Sequence, residues 1–295
     1  MKNGLVLSGA GGAIGFLVGA LTRVNREHQK VVGVSSGALV GIMYATGNLR
    51  RLYRILAQIT DEEVAKKRVF RYIRRHVYHL VGVKKPLMGI YDNTPLRKLL
   101  RRELIGQTVE VDFTAVSVNV KTGAEKLWTI PAGTQFTPQN IDKYISQIIS
   151  STAIPGVFPP EKIDGQLYID GGISTHTPIR PLKALLPEAD HITIISTATG
   201  EKARVEEVVT DFDYLPGRLS DLIKIVPTKD FFEFEYKNKL AKAGHPDYTY
   251  YPSLVIRPDQ DLAPTVRFHH KFMIVDYYHG MDRASRALRK GVVES

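Results

Sequence analysis

The pentapeptide Gly33-Val34-Ser35-Ser36-Gly37 contains the side chain best suited to chemistry, the hydroxyl of Ser35. It follows a short apolar run and precedes a helical pattern, so the sequence predicts a nucleophile elbow, a sharp turn between a strand and a helix. Glycines on both sides of the serine permit such a bend, because a Cβ at either position would clash. The N-terminus of the following helix would place partial positive charge near the attacking oxygen. The same pattern also fits an ordinary glycine-bounded turn, so its function depends on the motifs that accompany it.

A glycine-rich stretch at residues 8–15 lies between a predicted strand and a predicted helix. Consecutive glycines before a helix leave backbone N–H groups open to an anion, and Gly11 and Gly12 are placed to supply them. The anion could be a dinucleotide pyrophosphate or the oxyanion of an acyl-transfer intermediate. A dinucleotide site requires an acidic residue at the end of the second strand, where this chain has the Ser35 elbow. The sequence therefore disfavours nucleotide binding and leaves either an oxyanion hole or a purely structural turn.

Ser35 needs a base, because a serine hydroxyl is a poor nucleophile until its proton is removed. Of the nine histidines, five lie on predicted helices where nothing marks them as a base, namely His76, His79, His269, His270 and His279. A Ser–His–Asp triad on an α/β-hydrolase fold would also require several strands before the elbow, and only one clear strand precedes it. A carboxylate is the alternative base. Asp170 follows a predicted hairpin and precedes Gly171 and Gly172, although by itself it also fits a turn aspartate.

Taken together, the glycine-rich stretch, the Ser35 pentapeptide and Asp170-Gly171-Gly172 resemble the patatin-like phospholipases. Two further segments, Gly89 to Leu100 and Ser150 to Pro160, resemble the same family and occur in its order, so that the resemblance covers residues 4 to about 197. It implies that Ser35 is the nucleophile and Asp170 its direct base, with Gly11 and Gly12 forming the oxyanion hole. It also implies hydrolysis of a lipid ester of the phospholipase A type through an acyl-enzyme, with no metal and no organic cofactor.

The chain departs from the family pattern at two places. The family's glycine loop usually carries an arginine or lysine, and this chain has Ala13 or Ile14 at that position, depending on the alignment. If Ile14 is the aligned residue, Ile14→Arg is predicted to be neutral or mildly activating. The second departure is His176, which stands where the family commonly has asparagine; we interpret it as a supporting loop residue rather than a base.

The remaining periodicities predict an α/β fold, because strands alternate with helices along the chain. The resemblance implies a patatin-like three-layer sandwich, with a central, mostly parallel sheet and helices on both faces, formed by a single domain at residues 1–295. Residues 198–252 are predicted to be an insertion or lid-like region within it. The predicted strands are 4–7, 31–32, 109–120, 125–130, the hairpin 163–169, 192–195 and 254–256. The predicted helices are 16–26, 38–46, 49–58, 60–81, one that starts with Thr94 as N-cap and Pro95 as first residue, 141–150 and 268–288.

The net charge of +10 suggests an anionic partner. Residues 50–102 contain 15 Lys or Arg and four acids, so this segment accounts for the whole excess. Within it, residues 60–81 have the pattern of a basic amphipathic helix, which predicts docking on an anionic membrane through one cationic face, Lys66, Lys67, Arg71 and Arg74. The alternative is that the apolar stripe packs on the core and the cationic face is solvated. No motif or stacking pattern indicates specific nucleic-acid binding.

Composition limits what else the chain can be. It contains no cysteine, so disulfide and thiol chemistry are excluded. The sequence shows neither a signal peptide nor a membrane-spanning stretch, which predicts a cytoplasmic protein, with peripheral contact to membranes as an option. Two alternatives to the hydrolase remain open: a catalytically weak or inactive module that binds membranes or nucleic acid through the basic segment, and an acyltransferase.

Overall fold

The computed structural model describes residues 2–24, 27–64, 66–67, 89–198, 229–247, 249–260, 262 and 269–293. The strands are β1 Asn3–Leu7, β2 Lys30–Val34, β3 Lys66–Lys67, β4 Tyr91–Asp92, β5 Asp112–Asn119, β6 Glu125–Ile130, β7 Glu161–Ile163, β8 Gln166–Asp170, β9 His191–Ile195 and β10 Ser253–Ile256. The helices are α1 Ile14–Leu21, α2 Ser36–Ala45, α3 Leu49–Leu56, α4 Asp61–Val64, α5 Thr94–Leu104, α6 Ile141–Ser150, α7 Ile179–Leu185, α8 Lys229–Lys242 and α9 His270–Val293. Short 3-10 turns cover Gly11–Ala13 and Gly171–Ile173.

An eight-stranded mixed sheet forms the centre of the molecule, in the order β10-β9-β1-β2-β5-β8-β7, with β6 also paired to β5. The strands from β10 to β5 pair in parallel, and β6, β7 and β8 add antiparallel pairs. Helices that connect parallel strands must cross over a face of the sheet, which covers both faces and buries the central strands β1, β2 and β9 almost completely. This confirms the predicted α/β sandwich with helices on both faces of a central sheet, and the sheet is mixed, with its parallel pairs running from β10 to β5.

Alternate residues of each central strand enter different cores, as the two-residue period of a strand requires. Leu5 and Leu7 of β1 lie in one core, against α1, α2, α3, α5, α6 and α9. Val6 of β1 lies in the other, against α7 and α8. Residues 199–228 of the predicted insertion at 198–252 lie outside the described residues. Helix α8 also belongs to that region, and its Phe231 is fully buried in the second core.

Helix α1 packs closely against α9 through glycines on both helices. A Cβ on Gly15 would lie 2.0 Å from the carbonyl oxygen of Met273, and one on Gly19 would lie 1.9 Å from that of Tyr277. Gly280 is equally close to α1, since a Cβ there would lie 2.1 Å from the carbonyl oxygen of Phe16. The last glycine of the glycine-rich stretch therefore serves helix packing, which brings α9 beside the loop that precedes α1.

The predicted basic helix at residues 60–81 is wrong over part of its length. A short helix ends at Val64, and Lys66 and Lys67 form a strand that pairs with Tyr91 and Asp92. Tertiary strand pairing has overridden the local helical pattern there. Residues 68–88 lie outside the described residues, and Arg71 and Arg74 lie among them.

Most other predicted elements are confirmed to within a few residues. Helix α6 and the hairpin of β7 and β8 are confirmed, the latter with Asp164 and Gly165 at positive φ in its turn. Thr94 is not the N-cap of α5 but its first residue, and its backbone N–H donates to Asp92 Oδ1 at 3.0 Å. Among the helices that the structure describes, none is both long enough and apolar enough to span a bilayer.

Candidate active site

Strands β2 and β8 share one edge of β5, and this brings Ser35 and Asp170 together. Residues 113–118 of β5 pair with β6 along their other edge, so both β2 and β8 must lie opposite β6. Val34, the last residue of β2, pairs with Val116, and Asp170, the last residue of β8, pairs with Ser117. Consecutive residues of a strand are about 3.3 Å apart along its axis. The two strands therefore meet end to end where Ser35 and Asp170 stand, and we call this junction the dyad edge.

Ser35 has the strained backbone of a nucleophile elbow. Its φ of 56° and ψ of −130° are outside the regions that non-glycine residues favour, and it directly precedes the first residue of α2. A Cβ on Gly33 would lie 2.4 Å from the carbonyl oxygen of Gly37, and one on Gly37 would lie 2.4 Å from that of Ser8. Such strain persists only where the surroundings enforce it, and it is typical of functional positions.

Ser151 fastens the elbow to β5. The backbone N–H of Ser35 donates to Ser151 Oγ at 3.0 Å, and that hydroxyl donates to the carbonyl oxygen of Val116 at 2.5 Å. Ser151 is fully buried, so each of these hydrogen bonds is shielded from water. The sequence pattern included Ser151 without assigning it a role, because the contact joins positions 116 residues apart.

Asp170 is fixed by its own backbone and by the glycines that follow it. Its N–H donates to the carbonyl oxygen of Ala153 at 3.0 Å, and its Oδ1 accepts from the N–H of Gly172 at 2.7 Å. Gly171 permits this turn, since a Cβ there would lie 2.3 Å from the carbonyl oxygen of Val116. The carboxyl side chain is 3% exposed and Ser35 is 7% exposed, so the dyad edge is largely closed to bulk water.

The glycine loop presents two N–H groups beside the elbow. Gly9 donates to the carbonyl oxygen of His176, Ala10 donates to Ser36 Oγ at 2.8 Å, and Ala13 donates to the carbonyl oxygen of Ala10. Among the described residues, the N–H groups of Gly11 and Gly12, the first two of the 3-10 turn, donate no hydrogen bond. Gly11 has a positive φ of 53°, which glycine adopts without strain. The bond from Ala10 to Ser36, the residue after the nucleophile, ties the loop to the elbow.

His176 lies beside Ser35, which its sequence position alone did not indicate. A Cβ on Gly9 would lie 3.5 Å from Ser35 Cβ and 3.7 Å from His176 Nε2, so both side chains border the same point. The histidine is 2% exposed, and its carbonyl oxygen holds the glycine loop at a distance of 2.9 Å from Gly9 N. Thr197 supports the same loop, since its hydroxyl donates to the carbonyl oxygen of Gly9. These contacts fit a supporting role.

An apolar cavity of about 60 Å³ begins at the glycine loop and the elbow, with Gly11, Ile14 and Ser36 in its wall. Its other lining residues come from α2, α3, α4, α5 and α9 and from Ile59, just after α3. Ile14 is 6% exposed, so its side chain belongs to this apolar wall. An arginine at position 14 would have to place its guanidinium in this wall, and the prediction that Ile14→Arg is neutral or mildly activating stays a prediction.

Two comparisons with known sequences bear on this site. A family model described as patatin-like phospholipase matches residues 5–183, a range that includes the glycine loop, Ser35 and Asp170. Curated relatives include uncharacterised NTE family proteins of Mycobacterium bovis and of two Mycobacterium tuberculosis strains, each 26% identical over 203 residues. The matched region covers 66% of this chain and 49% of each relative, so the chain spans about half the length of these relatives.

Two solved structures resemble the fold. VipD from Legionella pneumophila aligns with a TM-score of 0.45 and 14% identity over 98% of this chain and 67% of its own. Human GIVD cytosolic phospholipase A2, in complex with methyl gamma-linolenyl fluorophosphonate, aligns with a TM-score of 0.38 and 12% identity over 98% of this chain and 59% of its own. Similarity this distant supports no inference about function.

Proposed function

The chain belongs to the patatin-like phospholipase family, and from this premise we propose that it is a serine hydrolase that cleaves the acyl ester of a phospholipid or a related lipid. The observation that carries the proposal is the dyad edge, where β2 and β8 meet on one edge of β5 and bring an elbow serine beside a buried carboxylate. Without a base nearby, the Ser35 hydroxyl would be unreactive at neutral pH.

Ser35 attacks the acyl carbon while Asp170 takes the hydroxyl proton. A bond forms between Ser35 Oγ and the carbonyl carbon, and the carbonyl electron pair moves to its oxygen. When the tetrahedral intermediate collapses, the bond to the alcohol oxygen breaks and that oxygen takes the proton from Asp170. Water then attacks the acyl-enzyme with the same base, releasing the fatty acid and restoring Ser35.

The N–H groups of Gly11 and Gly12 stabilise the oxyanion in both steps. An aspartate is a weaker base than an imidazole, so transition-state stabilisation must carry more of the acceleration. A single donor of this kind typically contributes about 10²- to 10³-fold to kcat. The donors are fixed in advance, because the preceding loop residues are already bonded to His176, Ser36 and Thr197.

The dyad requires only atoms of the chain and water, so neither a metal nor an organic cofactor enters the proposed mechanism. The acceptor of the acyl group is taken to be water. Transfer to another alcohol would follow the same first step and differ only in what attacks the acyl-enzyme.

Incubation with phosphatidylcholine vesicles tests the proposal, with released fatty acid and lysophospholipid measured by mass spectrometry. We expect equimolar release by the wild-type protein and none by Ser35→Ala. If the wild-type protein hydrolyses neither these vesicles nor a nitrophenyl ester while its fold is intact, the chain is a non-catalytic member of the family. A fatty acyl ester of an added alcohol as main product would instead identify an acyltransferase.

A further inference from the structure

Helix α3 lies between α9 and α5 on the face of the sheet that also carries α1 and α2. On one side, the Tyr53 ring lies 4.4 Å from the ring of Tyr277, and the backbone N–H of His270 donates to the carbonyl oxygen of Ile59 just after α3. On the other side, Arg51 forms an ion pair with Glu103 of α5. The outward sides of α9, α3 and α5 are therefore continuous, and we call them the three-helix surface.

The α9 part of this surface exposes three large apolar side chains at every third position. Phe272 is 41% exposed, Val275 is 62% exposed and Tyr278 is 58% exposed, whereas Met273 between them is buried. Residues three apart are neighbours on a helix, so these side chains form one stripe. Aromatic and aliphatic side chains in this arrangement are typical of segments that lie in the boundary between headgroups and acyl chains.

The part between α3 and α5 is a basic cleft of about 920 Å³. Its wall contains four cationic side chains against two acids, Glu62 and Glu103, and the four are Arg51, Arg54, Lys98 and Arg102. Glu103 is buried and is neutralised by Arg51 and Arg102. The exposed side chains of Arg54 and Lys98 form no ion pair with a described residue, so the cleft attracts anions.

The basic cleft adjoins the apolar cavity that begins at Gly11 and Ser36. Ile55, Ile59, Leu99 and Glu103 line both of them. The surface that combines an apolar stripe with free cations thus shares a wall with the cavity that begins beside the elbow. A protein partner could bind the charge and the apolar stripe without any contact with the cavity. The shared wall between the basic cleft and the cavity therefore favours a membrane that contains the lipid substrate as the occupant of this surface.

We propose that the three-helix surface docks the protein on membranes that contain anionic phospholipid, with Arg54 and Lys98 at the phosphate groups and the α9 stripe in the headgroup layer. The purpose of this contact rests on the proposed lipid hydrolase function, but the contact itself needs no turnover. In this proposal the docking residues lie on α3, α5 and α9, and not at residues 66–74, where the sequence pattern predicted them.

Vesicle co-sedimentation tests the electrostatic half of the proposal, with the whole 295-residue chain carrying Ser35→Ala so that no lipid is consumed. The vesicles are phosphatidylcholine alone and phosphatidylcholine mixed with phosphatidylserine, each at low and high salt. The test variant is Arg54→Glu with Lys98→Glu. Its matched control, Lys121→Glu with Lys239→Glu, makes the same charge change at two exposed positions, one in the turn after β5 and one on α8, which packs on the other face of the sheet.

Each basic side chain near an anionic membrane strengthens binding by roughly fivefold. We therefore expect the Arg54 and Lys98 variant to bind phosphatidylserine vesicles at least about 20-fold more weakly, and the control less than about threefold more weakly. High salt should remove most of this difference, because it screens the charges. Equal losses in both variants would show attraction by net charge alone and would overturn the assignment. Should the charge-reversed variant fail to fold, Arg54→Gln with Lys98→Gln replaces it, and an unchanged affinity there would have the same meaning.

The apolar half is tested by Phe272→Ser with Val275→Ser on the same vesicles. The matched control is Tyr236→Ser with Tyr250→Ser, whose side chains are 63% and 41% exposed but lie outside the three-helix surface. We expect the α9 variant to lose affinity for neutral and anionic vesicles alike, about tenfold. The same two substitutions in protein with native Ser35 should leave the hydrolysis of a soluble ester unchanged. Equal binding of both variants would exclude the stripe from membrane docking.

If the wild-type protein sediments with neither vesicle but forms a dimer that the α9 substitutions dissociate, the surface binds a second copy and the membrane assignment is wrong. Absence of ester hydrolysis by the protein with native Ser35 would overturn the enzymatic proposal only.

Discussion

The dyad edge and the three-helix surface are built by different kinds of interaction. At the dyad edge, backbone groups are fixed by strand pairing, by the Ser151 hydroxyl and by glycines packed within contact of neighbouring carbonyl oxygens. At the three-helix surface, exposed side chains supply the charge and the apolar area, and the backbone only holds them in place. A reacting centre tolerates displacements of well under 1 Å, whereas a fluid membrane tolerates far larger ones.

This difference predicts two kinds of response to substitution. Each single substitution at the dyad edge should lower turnover strongly, because it removes part of one geometric unit. Each single substitution at the three-helix surface should weaken membrane binding only a little, in proportion to the charge or apolar area that it removes.

The largest effect is expected from the dyad itself, with a soluble nitrophenyl ester as substrate. Ser35→Ala and Asp170→Asn should each lower kcat/KM by at least about 10³-fold, and the double variant should lose little more than either single one, because the two residues act as one unit. Circular dichroism should show an intact fold in all three. Near-normal turnover by Asp170→Asn would mean that another group removes the serine proton.

The next effect concerns the oxyanion donors. Gly11→Val should lower kcat by about 10²-fold, because a β-branched residue cannot hold the positive φ that aims the N–H groups. Gly133→Val is the matched control, since Gly133 also has a positive φ, of 85°, and a Cβ there would meet nothing within 4 Å. Both variants should lose stability by a similar amount in thermal melts. If turnover per folded molecule falls equally in both, or in neither, the loop is structural.

A smaller loss of turnover is expected at Ser151, and its neighbour Ser150 provides the control. Ser151→Ala should lower kcat by about tenfold, because the elbow N–H and the Val116 carbonyl both lose their partner and the elbow can relax. Ser150→Ala removes an equally buried hydroxyl that bonds only within its own helix, to the carbonyl oxygen of Gln147. Both should lower the free energy of unfolding by about 1–3 kcal/mol. Only the Ser151 variant should change turnover of the folded enzyme, and equal kinetics in the pair would remove Ser151 from the site.

The smallest effect is a pH dependence at the contact between α9 and the loop that follows β10. The hydrogen bond from His279 lowers the pKa of Asp259 below its ordinary value, and Arg283 adds to this. A carboxyl whose pKa is lowered in the folded state contributes stability above its ordinary pKa and loses it as the pH falls through the lowered value. Melting temperatures of the wild type and Asp259→Asn should therefore differ at neutral pH and converge in acid. A gap that stays constant or widens below pH about 4 would contradict the ion pair.

Much of the dyad edge could be predicted from sequence because its motifs are local. The elbow and the turn after Asp170 need glycines at fixed spacings, and a glycine pattern is visible in a sequence. The position of β8 on the β2 edge of β5 was not visible, nor was the bond from Ser151 to Ser35, since both join segments far apart in the chain.

The three-helix surface could not be predicted in this way. Its members come from α3, α5 and α9, and no local pattern links them. The basic run at 66–74 carried the stronger local signal, yet Lys66 and Lys67 form a strand with Tyr91 and Asp92. Charge density along a sequence therefore located the basic region of the chain but not the surface on which free cations converge.

The central claim, that Ser35 is the nucleophile and depends on Asp170, is tested most directly by covalent labelling. A fluorophosphonate probe reacts with activated serines, and digestion with mass spectrometry locates the modified residue. We predict one phosphonylated residue, Ser35, in the wild-type protein, and labelling at least about 10²-fold slower in Asp170→Asn, because the proton is no longer removed. Labelling of a different serine, or of Ser35 at an unchanged rate in Asp170→Asn, would contradict the account.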